Sequence, residues 1–213
     1  MQIVMLRGWS CSGKDTAATL LQELDSGYVR FAFADALKNI VAERYASEGQ
    51  TASALAALYT QEGKQAICPI AGVPWRTLLL RVGAEERSKN PDVFAELTAN
   101  RITTLPFRSP PLLEAEEKVK GIPLGYPFRS HPQKVIITDW RYPNEYDVIR
   151  RRFPEADLRT VWVRRVDQEA SPVQHFNETL LDGRTGDYML VNPPSIDGFR
   201  EAARHLHERL QGA

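Results

Sequence analysis

Gly8-Trp9-Ser10-Cys11-Ser12-Gly13-Lys14-Asp15-Thr16 decides how this sequence folds. The apolar run Ile3-Val4-Met5-Leu6 before it reads as a buried strand, and Ala17-Ala18-Thr19-Leu20-Leu21 after it reads as a helix. A strand, a glycine-framed loop and a helix in that order make a phosphate cradle. The glycines let the backbone turn sharply and aim its N–H groups inward, and the helix N-terminus adds partial positive charge. Lys14 then reaches the β- and γ-phosphates of a nucleoside triphosphate, with Gly8, Ser12, Gly13, Asp15 and Thr16 around it. Loops of this kind usually place Ser or Thr directly after the lysine to meet Mg²⁺, whereas here Asp15 intervenes and Thr16 follows. Two arrangements stay open: Thr16 meets the ion, directly or through water, or Asp15 changes how the ion is held. The plainer alternative is a glycine turn capped by Ser12 or Asp15.

The composition suits an enzyme in a watery, reducing compartment, and a cytoplasmic location is expected. At 213 residues, one α/β domain over the whole chain is the default, with room for a small mobile insert. Lys+Arg and Asp+Glu each count 27, so the formal net charge is zero and the pI about 6.9. No global basic field argues for a nucleic-acid polymer as partner. The arginines are locally dense, which favours phosphate-sized anions. The two cysteines, Cys11 and Cys68, provide no disulfide framework. Cys11 lies inside the glycine loop, where either its thiol is open to oxidation or only its backbone matters. The first apolar run is short and ends at Arg7, so neither a signal peptide nor a membrane span is expected.

Apolar runs then alternate with helical patterns. Strands are expected at 2–7, 28–33, 135–137, 161–163 and 188–191. Helices are expected at 15–24, from Ala36 through Tyr45, at 51–62, around Trp75 to Val82, around Phe94 and Leu97, over 143–152, and from Ile196 to Leu210. Strands without alternating polarity, linked by helices, imply a parallel sheet covered on both faces, with ligands at the carboxyl ends of its strands. Residues 105–133 differ: six prolines surround a charged patch from Glu114 to Lys120, and the stretch reads as a surface insertion. A functional version would carry Arg108 and Arg129 over the site as a lid.

The second informative stretch is Val135-Ile136-Ile137-Thr138-Asp139-Trp140-Arg141-Tyr142-Pro143-Asn144-Glu145. A carboxylate at the end of a buried strand stands where a Walker-B-type residue orders Mg²⁺ or its water, and Arg141 could neutralise phosphate oxygens. In the bland alternative, Asp139 caps the next helix and Arg141 pairs with Glu145 on the surface.

Three segments together resemble the deoxynucleoside monophosphate kinases of the bacteriophage type. They are the loop at 8–16, Phe33-Ala34-Asp35-Ala36-Leu37-Lys38, and Thr138 through Glu145. Arg76-x-x-Leu79-x-x-x-Gly83-x-Glu85-x-Arg87 with Asp92-Val93-Phe94 is similar to that family's central helical pair. His175-x-x-Glu178, Leu181-Asp182, and Asp187-Tyr188 before Asn192 are similar to its C-terminal part. Phe94 and Asn177 depart from the tryptophan and serine common among relatives. The resemblance implies a P-loop NTPase fold, three-layer α/β/α with a five-stranded parallel sheet, like the nucleoside monophosphate kinases. It also implies transfer of the γ-phosphate of ATP to a deoxynucleoside monophosphate with Mg²⁺.

Phosphoryl transfer independently asks for in-line positioning and cancellation of charge. Arginine forks suit an acceptor phosphate, and the candidates are Arg76, Arg87 and Arg141. Arg76 and Arg87 are about three turns apart, so both reach one phosphate only if the helix ends between them. Asp35 either contacts the acceptor or the metal, or caps a helix; Lys38 follows one turn later, either as a substrate ligand or as a surface charge. Kinases of this kind carry a lid near 164–186, to which Arg164 or Arg165 would contribute, with His175 and Glu178 organising it. The expected catalytic residues are therefore Lys14, Asp139, Arg141 and Arg164, and the expected metal ligands Thr16 and Asp139. Two other readings remain: a P-loop kinase of another phosphorylated small molecule, such as phosphomevalonate, or a non-enzymatic ATP-dependent switch. A homodimer is left open.

Overall fold

Strands that must be buried on both faces carry apolar side chains at successive positions, as Ile3–Leu6 and Val135–Ile137 do at the centre of the sheet. The computed structural model describes residues 1–104, 132–167, 180–181 and 186–212. Its strands are β1 (Gln2–Arg7), β2 (Tyr28–Phe31), β3 (Lys134–Ile137), β4 (Asp157–Arg165) and β5 (Tyr188–Asn192). They form one sheet in the order β2-β3-β1-β4-β5, every pair parallel. Its helices are α1 (Lys14–Leu24), α2 (Phe33–Tyr45), α3 (Thr51–Ala57), α4 (Gln61–Gln65), α5 (Trp75–Lys89), α6 (Val93–Thr104), α7 (Pro143–Arg152) and α8 (Ile196–Gln211). The result is the expected three-layer α/β/α arrangement.

Alternate residues of β1 to β4 feed opposite cores, while β5, at the sheet edge, packs on one side. Ile3, Met5, Val29, Phe31, Val135, Ile137 and Leu158 face α2, α6 and α7 through Phe33, Phe94, Ile102, Val148 and Ile149. Val4, Leu6, Ile136, Val161, Val163 and Leu190 face α1 and α8 through Leu20, Leu21, Phe199, Leu206 and Leu210. Each such side chain contributes about 1.5–3 kcal/mol by leaving water. A third, smaller core lies away from the sheet: Val41 and Ala42 of α2 meet Ala54, Leu58, Cys68, Trp75, Leu78 and Val82. It holds α3 and α5, both inserted between β2 and β3, against α2.

Several boundaries differ from the sequence expectation. The second strand stops at Phe31, and α2 already starts at Phe33. Asp35 therefore sits inside the first turn, while Ala32 occupies the cap position. The alanine-rich stretch at 51–62 is two short helices, broken after Ala57 and restarted by Thr60, whose hydroxyl accepts from the Gly63 N–H at 2.9 Å. Through Pro69 and Gly72 the chain makes a tight hairpin: Cys68 N–H donates to Val73 O, and Gly72 takes a left-handed φ of +65°. The fourth strand runs over 157–165, longer than the 161–163 expected, so Arg164 and Arg165 lie at a strand end. Nearly all of the 105–133 insertion, with Arg108 and Arg129, and His175, Asn177, Glu178 and Asp182 of the expected lid lie outside the described residues.

Candidate functional site: a phosphate loop beside a group of cations

The glycine loop leaves the carboxyl end of β1 and opens α1. Gly8 has φ +147°, and a Cβ there would come within 2.3 Å of Val163 O, so the loop rests directly on β4. Gly13 has φ +100° and stands at the α1 cap position, where as a glycine it brings no side chain to the helix N–H groups. Asn192, at the end of β5, donates from Nδ2 to Ser12 O at 3.0 Å and would collide with a Cβ on Gly13 at 2.5 Å. Lys14 Nζ donates to Gly8 O at 2.8 Å and Trp9 O at 2.7 Å, folding back over the crown of the loop. Ser12 is 1% exposed, and its Oγ has no hydrogen-bond partner among the described residues. An uncapped helix N-terminus, an orphaned hydroxyl and a lysine at one turn fit a phosphate group. Cys11 stands exposed in the loop with φ +62°, Cys68 is buried in the small core, and neither is in a disulfide.

Beside this loop, β3 delivers Asp139. Thr138 N–H donates to Phe31 O, and Trp140 N–H donates to Leu6 O, which ties the segment between the ends of β2 and β1. The Asp139 carboxylate accepts from Phe33 N–H at 2.7 Å and from Ala34 N–H at 2.8 Å. It thereby caps α2 from across the sheet, supplying what Ala32 lacks. The helix that follows it, α7, is closed instead by Glu145, whose Oε2 accepts from the N–H groups of Arg141 and Tyr142 at 2.9 and 3.0 Å. Glu145 is 3% exposed, so Arg141 makes no surface pair with it. Burial raises the Glu145 carboxyl to about 8, with the Asp139 charge adding to the effect against those two backbone hydrogen bonds. At 3.9 Å, Arg87 is too distant to offset that burial.

From the loop a chain of alternating charge runs along β2 and α2. Asp15 meets Arg30 at 3.1 Å, Arg30 meets Asp35 at 3.3 Å, and Asp35 meets Lys38 at 3.0 Å. Lys38 Nζ sits 3.8 Å from the centre of the Tyr59 ring. Desolvation opposes the Asp15 charge, but Arg30, then Thr138 and Lys14, hold its carboxyl below the ordinary value. Asp15 and Thr16 are both exposed on the first turn of α1.

The cations lie in three places. Lys64 on α4 is partly buried, and its ammonium is pushed below the ordinary value by that burial and by the charges of Lys38, Arg76 and Arg141. Asp15 acts on Lys64 in the opposite sense, raising its proton affinity. Arg87, eleven residues after Arg76 on the unbroken helix α5, lies about 16 Å farther along its axis. Its guanidinium lies between the Phe94 and Tyr142 rings, at 4.6 and 4.2 Å from their centres. Arg164 and Arg165 are exposed at the tip of β4, where they line a small cleft with Trp9, Ser12, Trp162 and Val163. Trp75 and Trp140 are core residues, and Trp162 carries the buried Arg7 guanidinium 4.6 Å over its ring.

Sequence reasoning passed over Arg30, Tyr59 and Lys64. A charge inside the apolar strand Tyr28-Val29-Arg30-Phe31 was a usable signal for the first. The five-residue helix bearing Lys64 has no apolar stripe and offered none. Among the described residues no three His, Cys, Asp or Glu side chains gather into a metal site. Mg²⁺ does not require one, since it binds through one or two carboxylates together with substrate phosphates. Among those residues, too, no helix is long and apolar enough to cross a membrane. No protein-family model matches the chain, and no curated protein matches it significantly. The parallel sheet flanked by helices is consistent with the broad P-loop and Rossmann-like group of nucleotide-binding α/β folds.

Proposed function

We propose that this protein is a kinase that transfers the γ-phosphate of ATP to a deoxynucleoside monophosphate, giving the diphosphate and ADP. The observation that carries the reading is the Gly8–Thr16 loop with its buried, unpartnered Ser12 hydroxyl, supported by the charges of Lys38, Arg76, Asp15 and Arg141 that act on Lys64. A phosphoryl transferase needs two phosphates held within reach, each with its charge offset.

In this reading the loop N–H groups, Ser12 Oγ and Lys14 hold the donor phosphates. Thr16 and Asp139 would hold Mg²⁺, directly or through water; the ion supplies charge neutralisation between donor phosphates. Asp139 keeps lone pairs for this while it caps α2. Arg76 and Arg141 take the acceptor phosphate, with Asp35 and Lys38 behind them as an ion pair that stiffens the floor. Arg87 braces the Tyr142 segment that carries Arg141. Arg164, on the far side of the loop, is positioned to meet the donor. An acceptor phosphate is already ionised, so the chemistry requires no general base.

The test is ADP release from MgATP with each deoxynucleoside monophosphate and each ribose counterpart, with Lys14→Ala as the blank. Stimulation by at least one deoxy form, reduced about a hundredfold or more in the blank, is expected, since loss of one fixed transition-state contact costs that much. Tight ATP binding with no stimulation by any mononucleotide would overturn the reading and turn the search to other phosphorylated metabolites.

A further inference from the structure

We infer that Lys64, on the short helix α4, is a direct ligand of the acceptor's phosphate group, so that α4 reads the acceptor as a phosphate monoester dianion. The inference rests on the kinase reading for the identity of the acceptor, but its geometry stands apart from it.

The backbone fixes where Lys64 lies. Trp75 N–H donates to Ala66 O at 3.0 Å, and Ile67 pairs with Pro74 in an antiparallel bridge, so the end of α4 is clamped to the start of α5. Lys64 precedes this clamp by two residues, and Arg76 follows it by one. On the other side Tyr59, just before α4, lies under Lys38, which Asp35 anchors. Asp35 stands in the turn of α2 that Asp139 caps, and Arg141 follows Asp139 by two residues. These connections hold α4 between the start of α5, which carries Arg76, and the Lys38–Asp35 pair, and the charges of Lys38, Arg76 and Arg141 all act on Lys64.

Two of these cations, Lys64 and Arg141, are not paired within the described residues. Lys38 is paired with Asp35, and Arg30 is shared between Asp15 and Asp35. Lys64 and the Arg141 side chain have no ion pair or hydrogen bond among the described residues. Two partly buried cations without a direct ion pair, held near further like charges that Asp15 only partly offsets, repel one another unless an anion joins them. The lowered proton affinity of Lys64 is the signature of that repulsion together with its burial. A dianion answers it best, because it relieves both charges at once.

Residue-resolved acylation of the wild-type chain tests this without relying on a variant's folding. Acetic anhydride labelling, read by mass spectrometry, is compared in inorganic phosphate and in chloride of equal ionic strength. Phosphate should slow labelling of Lys64 several-fold and leave exposed Lys89, at the far end of α5, unchanged; equal Lys64 rates in the two salts would overturn the inference. With an accepted mononucleotide, Lys64→Gln should raise the acceptor KM about tenfold, the scale of one charged contact, and change the KM for ATP less than about twofold. Lys64→Arg should recover part of the loss. A mononucleotide that is phosphorylated with the same KM by Lys64→Gln would sink this inference alone. Phosphate protection of Lys64 in a chain that phosphorylates no mononucleotide would uphold the anion site and reject the nucleotide.

Discussion

Asp139 meets two demands. It caps the first turn of α2 by accepting two backbone N–H groups, and in the proposed kinase it would also help hold the donor's metal. The two are compatible because each carboxylate oxygen has a lone pair to spare. Glu145, six residues on, is the more unusual side chain. It is buried, braces the Arg141 segment through two backbone hydrogen bonds, and keeps its proton up to about pH 8. The folded chain therefore holds a proton that the unfolded chain releases near the ordinary glutamate range. Between that range and about pH 8 the unfolded state binds fewer protons, so stability falls as pH rises. Asp15 and Asp25, whose carboxyls are held below their ordinary value, act only at lower pH. The other charges felt by Glu145 are Asp139 at the end of β3, which raises its proton affinity, and Arg87 on α5, which lowers it. Glu145→Gln keeps an oxygen for both N–H groups and has no proton to lose. Urea denaturation at a series of pH values should show a flatter profile for the variant, and the variant as the more stable protein at the alkaline end. Parallel profiles would mean that Glu145 is charged in the folded protein at neutral pH.

The helix α4 is too short to hold itself together, so its placement depends on what lies beneath it. Gly63 supplies the close approach: a Cβ there would lie 2.2 Å from Ala57 O and 2.7 Å from the Ala57 Cα. Backbone cannot yield as a flexible side chain can. Gly63→Ala should displace α4 from α3 and carry Lys64 with it, costing about 1–3 kcal/mol of stability. The acceptor KM should rise more than the KM for ATP, because the phosphate loop is built on a different element. Equal effects on both would show that α4 supports the whole site. None of this could be read from the sequence around Gly63. The sheet could be, because Ile3 to Leu6 and Val135 to Ile137 announce burial by composition alone, and the glycine loop announces a sharp turn. Asp139 was visible as a strand-end carboxylate, but its partners Phe33 and Ala34 are more than a hundred positions away in the chain. Lys64 belongs to the same class: its neighbours are brought to it by a hairpin and by the small core around Trp75 and Leu58, which local periodicity does not encode.

The molecule as a whole has no net charge to draw an anion in from a distance. Its positive charge acts locally, around Lys64, Arg76 and Arg141, and it is partly cancelled by Asp15 and, at Lys38, by Asp35. A field made this way falls off within about one Debye length, roughly 10 Å at 0.1 M salt. Association would then be ordinary in rate and weakly steered, whereas the bound state would feel the full local attraction. Raising salt from about 0.05 to about 0.3 M should therefore raise the acceptor KM several-fold, chiefly through faster dissociation. The same titration of Lys64→Gln should give a shallower dependence, since one of the screened charges is gone. A neutral analogue lacking the phosphate should show no salt dependence with either protein. If wild type and variant respond to salt with the same slope, the acceptor is held by groups other than this cluster, and the phosphate loop is the molecule's main anion site.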